Sequence, residues 1–133
     1  MRHVVVVEDD PVNATLFRKL LERRGGYRVT VTESPEEILR LVREGTADLV
    51  MLDVSLDNSF LRGERVSGIE ICRLLKADRE AAHVPVLLVT AHAMHGDEQR
   101  LIAESGAEGY VSKPVVDHEA FLVRIRDHLE AAA

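Results

Sequence analysis

Glu8, Asp9 and Asp10 stand side by side in the stretch HVVVVEDDP, at the end of the apolar run Val4 to Val7. Adjacent carboxylates repel one another unless solvent, a cation or a helix terminus relieves them. Three more polar residues close apolar runs further along. Asp53 ends DLVMLD, Thr90 ends VPVLLVT, and Lys113-Pro114 follows GYVS. If those runs are strands of one parallel sheet, carboxylates, a hydroxyl and an ammonium meet along a single edge. Oxygen donors of this kind suit Mg²⁺, which prefers octahedral oxygen coordination and keeps several waters. Asp10 is set apart from its neighbours, because Pro11 follows it. An Asp before a Pro at the first helical position reads as a helix cap, not as a ligand.

The elements that must position these groups follow from periodicity. Strand-like apolar runs cover Val4 to Val7, Val29 to Val31, Leu49 to Leu52, Val84 to Val89 and Tyr110 to Val111. Four β-branched residues in a row, as at Val4 to Val7, favour a strand buried on both faces. Helix-period segments lie between the runs. The first opens at Asp10-Pro11, carries Leu16, Phe17, Leu20 and Leu21 as its stripe, and stops at Gly25-Gly26. The second begins with the capping-box pattern Ser34-Pro35-Glu36-Glu37 and closes at Gly45. A third runs from Gly68 through Leu75, a fourth from about Asp97 to Ser105, and the last holds Phe121, Leu122, Ile125 and Leu129. Strands alternating with helices imply crossover connections and a doubly wound parallel sheet with helices on both faces. In open sheets of this class, sites form outside the carboxyl ends of the strands.

Composition bounds the rest. The chain has 133 residues, enough for one domain with a real core, and 1–133 reads as a single unit with no output domain. A net charge of −6 argues against gripping nucleic acid through a basic surface. Cys72 is the single cysteine, which excludes an internal disulfide and fits a reducing compartment. No stretch approaches the roughly 20 apolar residues that span a bilayer, and no signal peptide is legible. The expectation is a cytoplasmic protein without membrane insertion.

With an acidic pair after the first strand, an Asp after the third, Thr-Ala after the fourth and Lys-Pro after the fifth, the chain resembles the receiver domain of two-component response regulators. The nearest likeness is to free-standing receivers of the chemotaxis and cell-division-regulator kind. That resemblance implies a five-stranded, flavodoxin-like sheet of order 2-1-3-4-5 with five helices. It implies Asp53 as phosphoacceptor. Asp9 becomes a direct Mg²⁺ (or Mn²⁺) ligand, Glu8 a ligand through coordinated water, and the Ser55 backbone carbonyl a further donor. Lys113 would neutralise phosphoryl charge, Thr90 would hydrogen-bond the bound phosphoryl group, and Tyr110 matches the family's rotating aromatic. The implied partners are a histidine kinase or histidine phosphotransfer protein upstream and a protein target on the face of helix 4, strand 5 and helix 5. Chemistry would be limited to self-phosphorylation and autodephosphorylation.

Two features depart from that pattern. Ser55 and His92 occupy the positions two after Asp53 and two after Thr90, which leaves phosphoryl lifetime open. An insertion of about Asp57 to Ser67 separates Asp53 from the third helix and carries Phe60, Leu61, Arg62 and Arg65. It is expected either to fold over the rim of the site or to form a surface loop. His92 and His95 lack a third ligand and read as solvent-facing residues. Two other functions stay open: a haloacid dehalogenase-type phosphohydrolase, which normally has an acid where Ser55 stands, and a degenerate receiver acting as a binding module.

Overall fold

Val4 and Val6 face one way from the first strand and Val5 and Val7 the other, so an uninterrupted valine run makes sense only if both faces are covered. In the computed structural model, which describes residues 1–56, 59–91 and 97–132, they are. Strands β1 (His3–Val7), β3 (Leu49–Asp53) and β6 (Val86–Thr90) are buried along their whole length. With β2 (Arg28–Thr32) and β7 (Gly109–Ser112) they form a parallel sheet of order β2-β1-β3-β6-β7. Counting these five strands alone, the order is 2-1-3-4-5, as the motif pattern implied. The short strands β4 (Phe60–Leu61) and β5 (Glu64–Arg65) form a separate antiparallel pair.

Each face of the sheet has its own core. Val4, Val6, Met51, Leu87 and Val89 pack with Phe17 and Leu21 of the first helical segment and with Phe121, Ile125 and Leu129. Those last three lie on α5 (His118–Ala132). Val5, Val7, Val50, Leu52 and Leu88 pack with Ile38 and Val42 of α2 (Pro35–Arg43) and with Ile71 and Leu75 of α3 (Gly68–Ala77). Leu101 of α4 (Asp97–Ser105) joins the same side. Full burial of each such side chain contributes about 1.5–3 kcal/mol.

The helix starts are chemically explicit. Asp10 accepts a hydrogen bond from the Val12 N–H at 2.9 Å and caps α1 (Pro11–Lys19). Ser34 accepts from the Glu37 N–H at 3.2 Å, and Ser67 forms a full capping box with Glu70. The first helix does not simply stop at its stripe. It continues through a wider π-helical turn, Leu20–Arg24, before Gly25. The fourth strand begins at Val86 instead of Val84, because Pro85 just before it brings no N–H to the ladder, and it extends to include Thr90.

The insertion is an ordered hairpin where residues are described. Arg62 and Gly63 both have positive φ (53° and 83°), as a two-residue turn matching the strand twist demands. Leu61 packs onto the core beneath α2 and α3. Arg62 lines a groove with Arg43, Glu44 and Asp78, which lie at the C-terminal ends of α2 and α3. Those ends are at the sheet edge opposite Asp53. The hairpin therefore runs down the flank of the molecule, and the rim-covering arrangement is not what residues 60–65 adopt. Packing of Leu61 against α2 and α3 decides this, and no periodicity could have announced it. Asp57, His92 and His95 lie outside the described residues.

Candidate functional site

The carboxyl ends of β1, β3 and β7 bring four charged side chains together. Lys113 Nζ donates to Asp53 Oδ2 at 2.9 Å and to Glu8 Oε1 at 3.2 Å. Asp53 and Glu8 are almost fully buried, at 2% and 3% exposure. Asp9 completes the cluster. One carboxylate oxygen from each of Glu8, Asp9 and Asp53 lies within 4.8 Å of the others. Asp10 is not part of it; its carboxylate is exposed and engaged at the helix start.

Backbone amides hold the acids in place. The Ser55 N–H donates to Asp53 Oδ1 at 2.9 Å, and the Asp10 N–H donates to Glu8 Oε2 at 3.2 Å. Each buried carboxylate thus has one amide and one ammonium contact, which aims its remaining oxygen lone pairs into the cluster. Thr90 is buried at the end of β6. Its carbonyl accepts from the Lys113 N–H at 2.9 Å, which ties the hydroxyl-bearing and ammonium-bearing strand ends together.

The charges are unbalanced. Burial above all pushes the Glu8 carboxyl up to about 7, and its hydrogen bond and charge repulsion with Asp53 add to that, against the opposing Asp10 N–H and Lys113. For Lys113, burial works against the ammonium, but the hydrogen bonds and charges of Asp53 and Glu8 outweigh it and hold the group above its usual value. Three clustered acids facing one ammonium are relieved by a proton on Glu8 or by a cation. The donor set fits a hard divalent cation. Oxygen ligands about 2.1 Å from Mg²⁺ lie roughly 3 Å apart at adjacent octahedral positions, so the three carboxylates would close in from the observed spacing on taking the ion.

A model of the response regulator receiver domain matches residues 4–126. The chain belongs to that family. It is a signalling protein, a phosphorylation-dependent switch, and not a conventional enzyme. Among curated relatives, the polar-differentiation response regulator DivK of Brucella ovis is 44% identical over 114 residues, which cover 86% of this chain and 85% of that protein. DivK of Brucella anthropi is 43% identical over the same shares. Among solved structures, the receiver domain of the sensor histidine kinase PA1611 from Pseudomonas aeruginosa is 25% identical, with a TM-score of 0.79 over 97% of this chain and 98% of that one. That receiver has a magnesium ion coordinated in its active-site cleft. A CheY-like receiver protein from Methanospirillum hungatei shares the fold, at 21% identity and a TM-score of 0.78 over 99% and 96% of the two chains. Membership of the receiver family implies a histidine kinase upstream and protein targets downstream.

Of the residues singled out in the sequence, the receiver brings Glu8, Asp9, Asp53 and Lys113 into one cluster, with Thr90 and Ser55 at its border. Tyr110 sits apart, on the outer strand β7. Its ring lies beneath the Arg124 guanidinium at 5.5 Å, and its carbonyl accepts from Arg124. Gly68, which opens the third helix, has a positioning role that motif reading does not assign. A Cβ on Gly68 would lie 2.0 Å from the Asp53 carbonyl oxygen. Only glycine lets α3 start directly against the backbone that carries the buried acid. The signal available was a glycine opening a helix soon after a strand-end Asp.

Proposed function

We propose that Asp53 accepts a phosphoryl group from phosphohistidine on a histidine kinase or a histidine phosphotransfer protein. The Asp53 carboxylate oxygen attacks phosphorus, the N–P bond breaks, and the histidine nitrogen keeps the electron pair, leaving an aspartyl phosphate. The single observation that carries this reading is the convergence of buried Asp53 with Lys113, Glu8 and Asp9 at one sheet edge. Phosphoryl transfer needs positioning and charge neutralisation more than covalent assistance, and Lys113 is already held against the accepting carboxylate.

Asp9 and Asp53, the Ser55 carbonyl, and Glu8 through water are the groups that would hold Mg²⁺ or Mn²⁺. When bound, the ion supplies positive charge against the phosphoryl oxygens. Thr90 then hydrogen-bonds the phosphoryl group, Tyr110 turns inward, and the face of α4, β7 and α5 changes for a protein target. Water removes the phosphoryl group in the receiver's own autodephosphorylation. The setting is cytoplasmic, which the buried free thiol of Cys72 suits. No described helix is long and apolar enough to cross a membrane. A small-molecule phosphodonor with Mg²⁺ should give one acid-stable, base-labile phosphate per chain, and Asp53→Asn should abolish it. Undiminished phosphorylation of that variant would overturn the assignment.

A further inference from the structure

The β4–β5 hairpin is fixed at its root. The Ser59 hydroxyl donates to the Glu33 carbonyl at 2.8 Å, the Val66 N–H donates to the Ser59 carbonyl at 2.9 Å, and both residues are buried. A two-residue turn then closes the strands. Leu61 faces the body, whereas its neighbour Phe60 is 49% exposed, directly cross-strand from Arg65. A rigid hairpin displaying an aromatic ring beside a guanidinium is an unfavourable surface to leave uncovered. Those two residue types are also the usual anchors of protein interfaces.

Two grooves flank the hairpin, of ≈ 700 and ≈ 720 Å³, and they share Leu61, Leu74 and Ala77 as a common apolar floor, with Arg62 lining both. Leu74 is 38% exposed there. Their electrostatics differ. In the groove toward α2, Arg40 pairs with Glu44 and Arg43 with Asp78, which leaves the shared Arg62 as its one unpaired cation among the described residues. In the groove toward α3, Arg62, Arg65 and Arg73 face Glu64 and Glu70. Glu70 is engaged in the Ser67 capping box, and Arg73 uses its Nε on the Glu104 carbonyl. Arg62 and Arg65 have no ion-pair partner among the described residues. A local excess of positive charge on a chain of net charge −6 selects a partner of opposite sign.

We infer that the groove between the hairpin and α3 is a docking surface for a partner protein, and that its occupant is an acidic amphipathic helix. Its apolar side covers Leu61, Leu74 and Ala77 on the floor and reaches Phe60, cross-strand from Arg65, at the edge, and its carboxylates meet Arg62, Arg65 and Arg73. The surface lies on the flank opposite α5 and does not depend on Asp53 being phosphorylated.

The probe is a short amphipathic peptide with Leu at i, i+3, i+4 and i+7 and Glu elsewhere, added to the full chain with amide shifts recorded residue by residue. Shifts are expected at Leu61 to Val66 and at Arg73, Leu74 and Ala77. Affinity should fall about tenfold in the Arg62→Glu/Arg65→Glu variant, and should weaken with salt. Phe60→Ser, at an exposed position, should weaken binding with the urea midpoint unchanged. Equal binding of a peptide with Lys for Glu, shifts confined to other faces, or unchanged affinity in the charge-reversed variant would overturn the inference. So would concentration-dependent dimerisation abolished by that variant, because the occupant would then be a second copy of the chain.

Discussion

Replacing Glu8 with Gln should make the metal-free protein more stable at pH 8 and leave it nearly unchanged at pH 4. The Glu8 side chain is 1% exposed and its carboxyl is pushed from 4.5 up to about 7 on folding. A carboxyl whose pKa rises on folding favours the native state when protonated. Its contribution is fully present below about pH 4.5 and is lost as pH climbs through about 7. At 1.36 kcal/mol per unit, that displacement corresponds to a loss of about 3 kcal/mol between the two limits. The Gln variant has no such proton to lose, so its stability should not show this decline. Urea unfolding across that pH range, in chelator, reads the difference as diverging midpoints. Mg²⁺ added at pH 8 should restore most of the wild-type loss, because it binds only the native cluster. Parallel pH profiles for wild type and Glu8→Gln would mean that Glu8 loses no buried proton over this range.

Lys113→Ala leaves two buried carboxylates without their shared ammonium and should cost about 3 kcal/mol, read by urea unfolding. Mg²⁺ should recover part of that loss. Asp10→Ala should cost about 1 kcal/mol through the lost cap while Mg²⁺ affinity, measured by titration calorimetry, stays that of wild type. Gly68→Ala forces α3 away from the Asp53 carbonyl and should destabilise by about 1–3 kcal/mol, with phosphotransfer slowed in step. Arg62→Ala/Arg65→Ala should leave phosphoryl lifetime unchanged in a dephosphorylation time course, since the hairpin runs away from Asp53.

The parallel sheet was legible because its buried strands are continuous apolar runs and its helices open on explicit caps such as Asp10-Pro11 and Ser34-Pro35. The acidic cluster was legible for a related reason. In a parallel sheet every strand ends on the same edge, so listing strand-end residues amounts to listing neighbours. Glu8, Asp53 and Lys113 are 45 or more residues apart in the chain and yet were placed together on that argument alone. What stayed hidden depends on tertiary contact. The hairpin's direction is set by Leu61 packing on α2 and α3, and the importance of Gly68 lies in a backbone approach that no pattern encodes. The π-helical turn at Leu20–Arg24 is equally silent, because its residues keep an ordinary helical stripe.

Reductive trapping asks, at the level of a single carboxylate, whether Asp53 carries the phosphoryl group. Borohydride converts an aspartyl phosphate to homoserine, and peptide sequencing by mass spectrometry then locates the altered residue after phosphotransfer from a histidine kinase. The arrangement of Asp53 against Lys113, Glu8 and Asp9 predicts homoserine at position 53 and nowhere else. Homoserine at position 9 or 10, or hydroxynorvaline at position 8, with Asp53 intact, would contradict it.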